Sequence, residues 1–124
     1  MPHLITEHSS DITQNNIISF QQNIQRIMSE SDGGFAIEGC KARALAFDKY
    51  FVGTLKQDSS SFIHVTLKIL SGRSQEIKKM LSDKIMIYIL KFVSELKLDS
   101  KYCDVSVDIA DMERETYSKN RINS

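Results

Sequence analysis

The sequence contains no tryptophan, a single proline and only two cysteines. Cys40 and Cys103 make no disulfide framework, so both are expected to be free thiols in a reducing compartment. There is no net charge either: sixteen Lys and Arg balance sixteen Asp and Glu. That balance removes the electrostatic footprint of a general nucleic-acid binder and of a polybasic membrane ligand. No apolar run approaches the roughly 20 residues needed to cross a bilayer. The first residues lack the cationic start and apolar stretch of a secretory signal, so a cytoplasmic location is expected. His3, His8 and His64 show no metal-ligand spacing, and no metal is expected.

What remains is an ordinary globular composition. The 124 residues are 41% hydrophobic and 26% charged. A chain of this size hides roughly two-thirds of its unfolded surface and needs no staples, which fits one domain over 1–124.

Hydrophobic periodicity divides that domain into two similar halves. Leu4, Thr6 and His8 alternate with His3, Ile5 and Glu7, as in a strand. Asp11 with Gln14 resembles a capping box opening a helix over about 12–31, whose apolar face is Ile17, Phe20, Ile24, Ile27 and Met28, and Gly33-Gly34 stops it. From Cys40 the period becomes two, with Cys40, Ala42, Ala44 and Ala46 on one face and Lys41, Arg43, Leu45 and Phe47 on the other. Tyr50 to Leu55 reads as a further extended piece. The second half repeats the order: a strand from Phe62 to Leu70, a helix capped by Ser74 and reaching Leu96, and a strand from Cys103 to Ile109.

The expected fold is therefore α+β in two layers, a duplicated β-α-β unit with pseudo-repeats at about 2–56 and 62–110 and a polar C-terminal tail. Two right-handed crossovers put both helices on one face of a four-stranded mixed sheet. The other face would carry Lys41, Arg43, Leu45 and Phe47 beside Phe62, His64, Thr66 and Lys68. It is too polar for a dry core and too apolar for free solvent, so an oligomer that covers it is expected.

Pro2-His3-Leu4-Ile5 after Met1, the run from Phe62 to Ile69, and Gly72-Arg73-Ser74 opening a helix together resemble the 5-carboxymethyl-2-hydroxymuconate Δ-isomerases of the tautomerase superfamily. The resemblance covers nearly the whole chain and weakens after Ile109. It implies a tautomerase-fold homotrimer and a cofactor-independent isomerase acting on a small unsaturated carboxylate. It also implies removal of Met1, with the freed nitrogen of Pro2 as general base. Carboxylate binding falls by the same resemblance on Arg73 and Arg43, and on Lys41 where some relatives carry arginine. Lysine offers a point charge in place of a bidentate fork.

The chemistry is coherent, because a free α-amine has a reference pKa of about 7.7 to 8.0 and apolar, cationic surroundings lower it. Arg73 lies between a strand end and a helix start, where a cation and backbone N–H groups meet an anion. Phe62, at the head of the second half, is read as packing. Two other readings stand beside this one. One is a tautomerase of another enol acid, such as phenylpyruvate, using the same proline. The other is a non-catalytic ferredoxin-like interaction module, disfavoured because the Phe62 to Ile69 strand offers one aromatic and no arginine and the net charge is zero.

Overall fold

A computed structural model describes residues 1–98 and 102–123. The chain runs β1 (His3–Ser9), α1 (Gln14–Glu30), a 3-10 turn (Ile37–Gly39), β2 (Lys41–Phe47), a small hairpin of β3 (Phe51–Val52) and β4 (Leu55–Lys56), β5 (Ser60–Leu70), α2 (Gln75–Leu96) and β6 (Tyr102–Met112). Four strands form the main sheet in the order β2-β1-β5-β6. The outer pairs are parallel and the central β1/β5 pair is antiparallel, the arrangement expected of two β-α-β units placed head to tail.

The period-two reading holds strand by strand. Leu4 on β1 and Ile63, Val65, Leu67 and Ile69 on β5 are buried, and Phe20, Ile24, Met28, Leu81, Ile85 and Ile89 of the two helices close over them. Each such side chain contributes roughly 1.5–3 kcal/mol through removal from water. Ala42 and Ala44 pack at the margin of this core, as small residues beneath a helix should. Among the described residues no helix covers the opposite face of the sheet. Its rows, read from the strand register, run Lys41–His3–Lys68, Arg43–Ile5–Thr66–Asp108 and Leu45–Glu7–His64–Ser106.

Three boundaries differ from expectation for identifiable reasons. Thr13, not Asp11, caps α1: its hydroxyl accepts from the backbone N–H of Asn16 at 3.4 Å. The Asp11 carboxylate is taken instead by the hydroxyl of Ser61 on β5. The piece from Tyr50 to Leu55 is a tight hairpin that turns at Gly53, whose φ of 60° favours glycine. The last two strands pair over eleven positions, from Ser60↔Tyr102 to Leu70↔Met112, so each is longer than its hydrophobic alternation suggested. The Ser74 cap of α2 is as expected, its hydroxyl accepting from Ile77 N–H at 3.2 Å. Both thiols are free and partly buried, and burial with Asp11 and Asp104 nearby pushes the Cys103 thiol up to about 11.

Candidate active site

Pro2 stands immediately ahead of β1, where its ring is buried and its carbonyl accepts from Lys41 N–H at 3.0 Å. That bond continues the β1/β2 ladder to the first residues of the chain and fixes where the proline lies. The Met1 amine donates to the carbonyl of Gly39 in the 3-10 turn, and Lys41 Nζ donates to the same oxygen at 2.9 Å. A side chain on Gly39 would stand 2.6 Å from the Met1 nitrogen, so glycine is needed for this approach. Burial first, and then the charges of Lys41 and Lys119, hold the chain-heading amine below its ordinary pKa.

Pro2 opens on a pocket of about 180 Å³ lined by Met1, Pro2, Gly34, Phe35, Ala36, Ile69, Leu70, Arg73 and Arg114. The turn after β5 brings Arg73 there, with Gly72 at φ 124° supplying a conformation that other residues rarely adopt. Arg73 is held on three sides. Its Nε donates to Gly33 O at 3.0 Å, its Nη1 to Leu70 O at 3.4 Å, and its guanidinium lies 4.2 Å from the centre of the Phe35 ring. The Gly33-Gly34 stop after α1 thus has a second purpose. A side chain on Gly33 would collide with the Phe35 ring on which Arg73 rests.

Of the four site residues named from the sequence, Pro2 and Arg73 share this pocket within one chain. Arg43 and Lys41 do not line it; both are exposed on the open face of the sheet. They stay close by. Arg43 Nη1 lies 3.0 Å from Nδ1 of His3, the residue after the proline, and Nε2 of His3 lies 2.9 Å from the Tyr117 hydroxyl. Because a guanidinium can only donate, Nδ1 must accept and the proton sits on Nε2, which donates to Tyr117. Burial, followed by Arg43 and Lys41, lowers the His3 pKa. His8 bonds its neighbour's carbonyl and His64 bonds Ser106, and among the described residues no three His, Cys, Asp or Glu converge as metal ligands.

Arg114 is the lining residue that hydrophobic patterning passes over. It lies in the polar tail, where periodicity says nothing. Strand register does point to it: Leu70 pairs with Met112, so residues just beyond β6 must stand beside the Gly72-Arg73 turn just beyond β5.

The fold recurs in known structures. The fold matches the 5-carboxymethyl-2-hydroxymuconate isomerase from Deinococcus radiodurans R1 with a TM-score of 0.83 at 23% identity, over 98% of this chain and 90% of that one. A second 5-carboxymethyl-2-hydroxymuconate delta-isomerase matches at 0.75 and 16% identity, over 99% and 89%. A fused 4-OT wild-type symmetric trimer matches at 0.71 and 16% identity, over 91% and 88%. At these identities the likeness establishes the tautomerase fold. No curated protein sequence matches the chain. The family model for 5-carboxymethyl-2-hydroxymuconate isomerase aligns with residues 2–124, starting at the proline itself, and with the fold this places the chain in that isomerase family.

Proposed function

We propose that the chain is a cofactor-independent isomerase acting on 2-hydroxy-2,4-dienoates of the 5-carboxymethyl-2-hydroxymuconate kind, with the nitrogen of Pro2 as general base. The observation that carries this reading is the shared pocket of Pro2 and Arg73. While Met1 is attached, the proline nitrogen is a tertiary amide without basicity. Once it is removed, the nitrogen is a secondary amine in the surroundings that already lower the pKa of the Met1 amine. Surroundings of that kind move an amine's pKa down toward the working pH, where proton transfer is most efficient.

The reaction then needs no external reagent. The 2-hydroxyl gives its proton to Pro2 N, and the O–H electron pair becomes the 2-oxo group. The C2=C3 pair moves to C3=C4, and the C4=C5 pair takes a proton at C5 from the prolinium. Arg73 holds a carboxylate and stabilises charge gathering at the 2-oxo end, an effect that costs no reorganisation because its guanidinium is already fixed. Arg43 and Lys41 act on a neighbouring subunit's ligand, in a homotrimer that buries the open sheet face.

Pro2→Ala tests the base. With Met1 removed from both proteins, the variant should lose about 10²-fold or more in kcat for ketonisation. Unchanged turnover removes Pro2 from the mechanism. Comparing the dienoate with phenylpyruvate enol fixes the substrate class, the dienoate being the faster.

A further inference from the structure

We propose that Arg114 is a specificity-determining residue of the same pocket, holding a second carboxylate of the ligand so that the site selects diacids over monoacids. The proposal rests on the reading of this pocket as a carboxylate-binding site. Its first support is position: Arg114 and Arg73 line the cavity that Pro2 also lines. Its second is charge. Among the described residues neither guanidinium has a carboxylate partner, the ion pairs being Lys78–Asp111 and Lys79–Asp83. Two uncompensated guanidiniums on a cavity of about 180 Å³ call for two negative charges there.

The hydrogen bonds show which edges remain for a ligand. Arg114 Nε and Nη2 both donate to Ser71 O, at 3.2 and 3.0 Å, which uses the side edge of its fork. Its terminal edge, between Nη1 and Nη2, is left for a carboxylate. Arg73 uses Nε on Gly33 O and Nη1 on Leu70 O, which leaves Nη2 and the second hydrogen of Nη1 for a ligand. Each guanidinium keeps N–H donors for one carboxylate, so the two specify two.

Arg114 is also held in place before any ligand arrives. Its backbone N–H donates to Ser71 Oγ at 3.3 Å, the turn that follows is closed by Tyr117 N–H to Glu113 O at 3.1 Å, and Tyr117 is bonded to His3. A preorganised cation loses little freedom on binding.

The test is calorimetric binding of two unreactive acids, adipate and hexanoate, to the protein with Met1 removed. Wild type should prefer adipate by about tenfold or more, the scale of one charge-assisted hydrogen bond. Arg114→Gln keeps an amide able to donate to Ser71 O and should cut the adipate preference about fivefold or more. Arg114→Lys, which keeps the charge without the fork, should retain part of the preference and guards against a folding defect in the first variant. An unchanged adipate preference in both folded variants, or no preference in wild type, overturns the proposal. Loss of ketonisation with the adipate preference intact would instead sink the isomerase reading and leave Arg114 as assigned.

Discussion

A guanidinium that donates to two backbone carbonyls and rests on an aromatic ring has little freedom left, so Arg73 acts as a fixed charge. Replacing it removes the charge and leaves the Gly33 and Leu70 carbonyls to water. Arg73→Ala should raise KM and lower kcat/KM by about tenfold or more, with Arg73→Lys recovering only a fraction, because lysine cannot reproduce the fork. Steady-state kinetics checks this. His3 carries a different consequence. Its Nδ1 accepts from Arg43, so protonation breaks that bond and places like charges together. The folded-state pKa is lowered from 6.5, so between that lowered value and 6.5 the unfolded chain binds more protons. Stability is then fully present above about pH 6.5 and falls as pH drops through the lowered value. Melting temperature against pH should show this decline, and His3→Asn should flatten it. Pro2 and Arg73 were named through the family resemblance that Pro2-His3-Leu4-Ile5, the Phe62 to Ile69 run and Gly72-Arg73-Ser74 carry as a set, and the structure puts both on one pocket. Arg114 was not, because its role comes from the pairing of β5 with β6.

At the scale of elements, what was legible is what repeats. Ile63, Val65, Leu67 and Ile69 alternate without interruption, and every one is buried. The helix caps divide instructively. Ser74 could be read because its partner is three residues away, whereas Asp11 misled because its partner, Ser61, is fifty positions on. Ser74→Ala should cost about 1 kcal/mol in denaturant unfolding, the usual value of an N-cap. β1 holds one unfavourable feature. Thr6 is fully buried beneath the helices and its hydroxyl has no hydrogen-bond partner among the described residues. Thr6→Val removes that desolvated group at nearly constant shape and should stabilise the protein by about 1 kcal/mol. A lower melting temperature for Thr6→Val would show that the hydroxyl finds a partner after all.

At the scale of the whole molecule, the open sheet face ties fold to function. Leu45 is 57% exposed on it, near Arg43 and Glu7, with no helix to cover them. The proposed homotrimer buries this face and delivers Arg43 and Lys41 to a neighbour's pocket. Sedimentation should therefore give three times the 14.1 kDa chain mass, and Leu45→Glu should shift it toward monomer with loss of turnover. A wild-type protein that sediments as one chain would leave those two cations without a carboxylate to bind.

The central claim is that an uncapped proline nitrogen carries the proton, and one comparison tests it most directly. Ketonisation of 5-carboxymethyl-2-hydroxymuconate is measured with protein whose mass shows Met1 removed and with protein that retains it. The account predicts turnover by the first and essentially none by the second, since in the retained form the nitrogen is an amide. Equal rates from the two would contradict it.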